Sequence, residues 1–339
     1  MRRGFGLRAL AIGAVAAVVA ACGSSPPPQS APASGSAVPV TGTLIVNGAG
    51  TLAKPFAAMI AAFKAQNPGV TVQSRFAGSV EVVRGITELH NPVDVLGVAD
   101  YSLIPSKMYG TNGGTQFANW YVGFASNRIT FAYTDQSKGA ADLTADNWYQ
   151  VLAQPGVKVG RSNPDTDPSG YQTLQMLALA QTYYHQPNLS AGVLANSPPE
   201  TMVGTETQLL PAVSSGQIDY LGIYRSDALQ HHLKFLDLPA QIDLSDPALA
   251  ATYATVSVPT SSGPRTGKPI VYALTVPTNA PNSAAGQRFV EFVLSPAGQK
   301  IMSDNGFSVV NPAVAGVANG AQLPASVQPQ TVPAKLPGG

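Results

Sequence analysis

Leu44, Ile45 and Val46 make a short unbroken apolar run closed by "NGAG", which predicts a buried strand running into a loop. Phe56, Ile60 and Phe63 recur at i, i+4 and i+7, the spacing of one helical face, and "NPG" at 67–69 stops that helix. Val70 and Val72 alternate as in a strand. A second helix follows Ser79, with Val82, Ile86 and Leu89 on one face, and "VDVLGVA" is the next strand. This βαβ series predicts a parallel sheet with helices on its faces.

The pattern then repeats with other content. "RITFAYT" and "VKVG" read as strands, followed by the loop "GRSNPDTDPSGYQ" and a helix "YQTLQMLALAQTYY" whose buried stripe is Leu174, Leu177 and Ala178. A helix near Glu206 precedes the strand "IDYLGIY", and "GKPIVYALTVP" is a long strand. Two closing helices in "AAGQRFVEFVLSPAGQKIMSDNGF" turn Phe289, Phe292 and Val293 inward. Two α/β lobes joined by two crossing strands explain this order, with "VGFASNRITFAYT" and "KPIVYALTVP" as the crossings. The first lobe then recovers the last helices. Such a fold binds its ligand between the lobes, where strands lead into helix N-termini.

The 339 residues suffice for one or two domains with a full-sized core. Charged residues are 11% of the chain, against about 25% in an average domain, and the net charge is +1. That balance provides neither the basic field that nucleic acid requires nor a polybasic membrane patch. The N-terminus adds a clearer signal. "MRRGFGLRAL" carries three arginines, "AIGAVAAVVA" is an apolar run of signal-peptide length, and "VAAC" ends on Cys22, the only cysteine. A small-residue triplet before a lone cysteine resembles the bacterial lipobox, so cleavage is expected to leave Cys22 as a lipidated first residue. A single cysteine excludes a disulfide within the chain and a cysteine metal site.

"GSSPPPQSAPASGSAVPVTG" reads as an extended tether and "GAQLPASVQPQTVPAKLPGG" as a disordered tail. The expected organisation is a signal peptide at 1–21 and a lipidated cysteine with linker at 22–42. Lobe I takes 43–125 with 275–316, lobe II takes 126–274, and the disordered tail takes 317–339.

Three loops of like chemistry stand at strand-to-helix junctions: "NGAGTLA", "FAGSVEV" and "DPSGYQT", with Thr51, Ser79 and Ser169 beside glycines. Glycine permits close backbone approach, and a helix start offers unpaired N–H groups with a partial positive charge. Together they make a neutral oxyanion site, although each hydroxyl alone reads equally as a helix cap. The nearby carboxylates Asp165 and Asp167 oppose an anion, since a charge about 4 Å from a dianion costs several kcal/mol at moderate effective dielectric. Either these acids face solvent, or one binds the central atom of the anion rather than its oxygens.

Long collinear segments between residue 43 and about 315 resemble the tungstate/molybdate-binding lipoproteins of the archaeal type. They are "GRSNPDTDPSGYQTLQMLALAQTYY", "VEVVRGITELHNPVDVLGVADYSLIP", "IDYLGIYRSDALQHHLKFLDLPAQIDLSDP" and "TGKPIVYALTVPTNA". The resemblance implies a monomeric solute-binding protein of an ABC importer, with a two-lobed periplasmic-binding-protein (Venus-flytrap, type II) fold. Each lobe is a mixed sheet flanked by helices, and two strands form the hinge. The ligand implied is tungstate or molybdate, with no cofactor, no catalysis and a permease as partner. Thr51, Ser79, Ser169, Gly170 and Tyr224 fall on the positions that hold the oxyanion oxygens. Asp167 and Glu206 fall on those whose carboxylates join the metal and make it six-coordinate. Asp165 is then a solvated loop acid. Pro211 sits about one turn beyond Glu206, so the helix there either kinks or starts later.

The location implied is extracytoplasmic, anchored to the bacterial cell membrane through Cys22. Two other readings stand beside this one. The same fold could bind sulfate or phosphate with both acids facing water, or a surface hydrolase could use Asp167 and Glu206 as an acid/base pair, for which no nucleophile is evident. His231–His232 reads as a solvated or structural pair, and Trp120 and Trp148 as core or hinge packing.

Overall fold

The computed structural model describes residues 39–110, 114–334 and 336. The expected signal peptide, Cys22 and most of the tether lie outside the described residues. The chain begins with β1 (Gly42–Ala49), α1 (Ala53–Gln66), β2 (Val70–Ala77), α2 (Ser79–Thr87), β3 (Val95–Val98), α3 (Leu103–Met108) and β4 (Trp120–Ser126). It continues with β5 (Ile129–Tyr133), α4 (Trp148–Leu152), β6 (Val159–Gly160), α5 (Pro168–Tyr183), α6 (Leu189–Ala195), α7 (Leu210–Ser214), β7 (Tyr220–Tyr224) and α8 (Arg225–Gln230). Next come β8 (Lys234–Phe235), α9 (Ala240–Asp243), α10 (Ala250–Tyr253), β9 (Ser257–Val258), β10 (Arg265–Thr266) and β11 (Val271–Thr275). The last elements are α11 (Ser283–Leu294), α12 (Pro296–Asp304), β12 (Ser308–Val317) and β13 (Thr331–Pro333).

The strands form two mixed sheets, ordered β13-β12-β4-β11-β3-β1-β2 and β6-β7-β5-β8, with β9 and β10 as a separate pair. β1 is parallel to β2 and to β3, as the βαβ pattern predicts, with Ala49 opposite Ala77 and Gly48 opposite Gly97. The carboxyl ends of these strands are therefore level, and the loops that leave them start side by side. β6 and β7 are parallel in the smaller sheet, with Gly160 opposite Leu221.

The chain passes from the larger to the smaller sheet through Asn127 and Arg128, between β4 and β5, and returns just before β11. All of β11 pairs with β3 and β4, so the sequence-drawn boundary at 274/275 cuts a strand of the larger sheet. Asn127 ties the crossing down: its Nδ2 donates to Ser226 Oγ at 2.8 Å and to Tyr272 Oη at 3.4 Å.

The larger lobe is held by aromatic packing between its first helix and its late helices. Phe63 meets Phe289 and Phe292 edge-on at 5.3 and 6.0 Å, and Phe56 meets Phe289 at 5.8 Å. Edge-to-face pairs add to simple area burial. Residues far apart in sequence thus complete one lobe, as the apolar stripe of α11 predicts.

Four local expectations change. α2 ends at Thr87, so Val82 and Ile86 are buried while Leu89 is 71% exposed. α5 buries most of its circumference, including Met176, Leu177 and Leu179, because α6, α9, β5, β7 and β9 pack around it. Leu174 and Ala178, placed on a single stripe by periodicity, are half-buried. The tail expected to be disordered adds β13 in parallel to β12 and buries Val327 and Leu336. Its proline-rich composition hid one short strand and two apolar anchors.

Phe289→Ala, which removes the ring shared by both α1 phenylalanines, is expected to cost about 3–5 kcal/mol of stability. Urea denaturation followed by circular dichroism measures it, and a loss below about 1 kcal/mol contradicts the packing described.

Candidate functional site

Asp167 caps α5 in an extended conformation, with Pro168 in the first turn. Its missing N–H and fixed φ suit that position. Glu206 opens a 3-10 turn (Glu206–Leu209), and α7 begins afterwards at Leu210 with Pro211 in its own first turn. Pro211 therefore neither kinks nor displaces the element that carries Glu206.

The two acid-bearing loops are laced together. Ser162 and Val203 form an isolated parallel bridge, Asn163 N donates to Val203 O at 2.8 Å, and Thr166 Oγ1 donates to Gly204 O at 2.9 Å. This brings Ser169 Oγ to 2.8 Å from Asp167 Oδ2 and 2.8 Å from Glu206 Oε2. Ser162 Oγ lies 2.6 Å from Ser169 Oγ, and Thr205 Oγ1 donates to Glu206 Oε2 at 3.0 Å. The Glu206 N–H reaches Asp167 Oδ2 at 3.3 Å. Asp167, Ser169 and Glu206 are all buried.

One hydroxyl carries one proton, so Ser169 can donate to only one of the two acids at a time. The second contact requires a proton on an acid. Burial, then the Asp167 charge and a hydrogen bond to Asp167, push the Glu206 carboxyl well above the usual carboxylate range. A third acid joins them. Asp227 is buried in the first turn of α8, and its Oδ2 has no hydrogen-bond partner. Burial first, then the Asp167 charge, push it up to about 8. Among the described residues no lysine or arginine stands within ion-pair distance of Asp167, Glu206 or Asp227.

The larger lobe closes over these acids with its two level loops. Val80 N and Glu81 N, in the first turn of α2, both donate to Thr166 O, at 3.1 and 3.3 Å. A Cβ on Gly78 would stand 2.2 Å from that same carbonyl oxygen, so only glycine admits this approach. A Cβ on Gly50 would stand 2.7 Å from Thr205 Oγ1, next to Glu206. Gly50 and Gly78 directly precede Thr51 and Ser79, so both predicted hydroxyl loops abut the two acid loops.

Each predicted ligand position has a definite partner. Thr51 Oγ1 donates to Tyr272 Oη at 3.0 Å, and Ser79 Oγ accepts from Ala99 N at 3.0 Å. Tyr224 Oη donates to Gln172 Oε1 at 2.6 Å, and its ring meets Tyr272 at 5.9 Å. Gly170 differs from its expected role, because its N–H donates to Asp167 O at 3.1 Å as part of the helix start. A Cβ there would stand 2.7 Å from Ser162 O, so this glycine serves the packing of α5 on the acid loop. Asp165, expected in solvent, accepts from Ser261 N at 2.7 Å and ties down the turn between β9 and β10.

Sequence reasoning missed Tyr272, Asp227, Ser162 and Thr205. Asp227 was accessible to it, since it follows β7 at the same kind of strand-to-helix junction as the others. Tyr272 is a buried strand residue and carries no such mark. His231 and His232 are exposed, and no metal-holding group of histidine, cysteine or acids occurs among the described residues. Trp120 and Trp148 are buried, as read.

Two α/β lobes clasping a sealed polar site define a solute-binding protein. The family model of bacterial extracellular solute-binding proteins matches residues 44–308. Over 279 residues the chain is 39% identical to an uncharacterized solute-binding protein of Petrotoga mobilis, covering 80% of this chain and 85% of that one. Over 303 residues it is 36% identical to the molybdate/tungstate-binding protein WtpA of Pyrococcus abyssi, covering 81% and 87%. Among solved structures it resembles the periplasmic molybdate-binding protein of Azotobacter vinelandii, with a TM-score of 0.57 at 19% identity over 79% of this chain and 99% of that one. The sulfate-binding protein SubI of Mycobacterium tuberculosis H37Rv gives 0.56 at 18% identity over 79% and 87%. At such identities these two likenesses speak for the fold alone.

The chain belongs to the bacterial extracellular solute-binding protein family. Its relatives at 36% identity include molybdate/tungstate-binding proteins, so the resemblance read from its segments holds.

The buried acids set a pH dependence of stability. Asp227 shifts from 3.8 to about 8 on folding. Between those values the folded chain holds a proton that the unfolded chain has lost, so stability falls as pH rises. The contribution is fully present below 3.8 and is lost as pH passes about 8, and Glu206 acts in the same direction. The slope is about 1.4 kcal/mol per pH unit for each proton. Urea midpoints between pH 5 and 8 are expected to fall for the wild type and to fall less for Asp227→Asn. Equal slopes would show that Asp227 does not hold its proton.

Proposed function

We propose that this protein captures tungstate or molybdate between its lobes and delivers it to the permease of an ABC importer. Thr51, Ser79, Ser169 and Tyr224, with backbone N–H groups at the loop starts, address the oxyanion oxygens. Asp167 and Glu206 address the metal. The chain is a binding module without catalysis, monomeric, exported by residues 1–21 and anchored to the cell membrane by a lipid on Cys22. Its two lobes are those of the two sheets.

The observation that carries this reading is the pair of buried carboxylates joined by one serine hydroxyl, with no lysine or arginine among the described residues within ion-pair distance. A charged carboxylate in such a pair repels the oxygens of a dianion, by several kcal/mol per charge pair at about 4 Å and moderate dielectric. A metal-centred oxyanion changes the sign of that interaction, because its central atom accepts carboxylate oxygen. Binding then replaces the proton held by Glu206 with the metal, and Ser169 is freed to serve an oxyanion oxygen. The two relatives named for molybdate and tungstate support the same ligand.

The proton on Glu206 also favours a second reading, in which a neutral acid donates to sulfate or phosphate. Calorimetric titration of the full chain with tungstate, molybdate, sulfate and phosphate separates the two. The metal oxyanions are expected to bind tightly, and Asp167→Ala and Glu206→Ala each to weaken them by about 30-fold or more, as when one partner of a buried charged contact is truncated. Equal binding of sulfate, or variants that bind as the wild type does, would overturn the proposal.

A further inference from the structure

Arg265, in β10, is 8% exposed, and its guanidinium lies over the Tyr171 ring at 5.7 Å. Its Nε and Nη2 have no hydrogen-bond partner, and among the described residues no carboxylate stands within ion-pair distance of it. The nearby acid is already committed. Asp100 pairs with Lys268 at 3.2 Å, accepts from Tyr171 Oη at 2.7 Å and accepts from Ser102 Oγ at 2.8 Å. Arg265 is therefore a buried charge without a counter-charge, an expensive arrangement that ring stacking offsets only in part. Lys107 responds to this surplus, since partial burial and then the Arg265 charge pull its ammonium below the usual lysine value.

A cavity of about 250 Å³ opens here, lined by Ser102 and Ser106 on one side and by Pro264, Arg265, Thr266 and Lys268 on the other. Ser102 and Ser106 follow β3 of the larger sheet, whereas β9 packs on α5 of the smaller lobe. Tyr171 stands four residues, one helical turn, beyond Asp167. The cavity is thus a neighbour of the cleft, and elements of both lobes border it.

We propose that this cavity is a second oxyanion site, in which the Arg265 guanidinium and the Lys268 ammonium hold a small tetrahedral anion beside the cleft. Both side chains line the cavity, and a planar guanidinium beside an ammonium suits the charge of such an anion. Thr266, in the same lining, supplies a hydroxyl. The site also answers an electrostatic difficulty. Among the described residues no lysine or arginine pairs with the acids of the cleft, and a cationic pocket beside it concentrates the anion locally.

Equilibrium dialysis of the full chain against radiolabelled molybdate and sulfate at low ionic strength tests this. The wild type is expected to hold two molybdate ions, one tightly and one in the millimolar range. Arg265→Gln should weaken the second by about tenfold or more and leave the first unchanged. Asp167→Ala should do the reverse, so failure of the cleft assignment leaves the Arg265-dependent ion visible. Thermal melts confirm that each variant folds. If Arg265→Gln does not fold, Arg265→Lys replaces it, with the second site weakened because an ammonium does not replace the planar guanidinium. One ion per wild-type chain up to millimolar concentration, or a second ion indifferent to Arg265, would overturn the proposal and leave this arginine a stacking partner of Tyr171.

Discussion

Two buried carboxylates meet one serine hydroxyl, and among the described residues no lysine or arginine stands within ion-pair distance of them. Everything around this contact serves to hold it. Asp167 and Glu206 come from different loops of the smaller lobe, so the Ser162–Val203 bridge and the Thr166–Gly204 hydrogen bond must fix those loops to each other. A buried pair of like charges is tolerable only if one acid keeps its proton, and burial beside Asp167 gives Glu206 that proton. The site is consequently stable with one acid held neutral.

The larger lobe contributes closeness rather than charge. Two glycines let its loops press against the acid loops, and the Thr166 carbonyl is received by the first turn of α2. Thr166 adjoins Asp167, so any displacement of Asp167 by a ligand is felt at this interlobe hydrogen bond. Asn127 and Tyr272 link the crossing segment to Thr51 and Ser226 in the same way. The two lobes are therefore connected through a few named backbone and hydroxyl groups.

Much of this was legible in the sequence, for identifiable reasons. Apolar period and strand-to-helix junctions located Thr51, Ser79 and Ser169, because local chemistry at a helix start is written in adjacent residues. Loop chemistry raised Asp165 and Asp167 together, and only the resemblance chose Asp167 and added Glu206, since an acid in a helix first turn is ordinary by itself. Tyr272 stayed hidden because a buried tyrosine in an apolar strand looks like core. Asp227 was overlooked although it stands at a strand-to-helix junction like the others, and only its burial depends on packing that no local pattern records. Leu89 misled through periodicity that outlasted the helix, and the tail misled through proline content that masked Val327 and Leu336. The pairing of Arg265 with a cavity is wholly tertiary.

The central claim is that the carboxylates of Asp167 and Glu206 bind the metal and not the oxygens around it. X-ray absorption at the tungsten edge of the protein–tungstate complex tests this most directly. The account predicts a six-coordinate tungsten, with four short oxo bonds and two longer bonds to carboxylate oxygen, reverting toward tetrahedral in Glu206→Ala. A tetrahedral tungsten in the wild-type complex would contradict it.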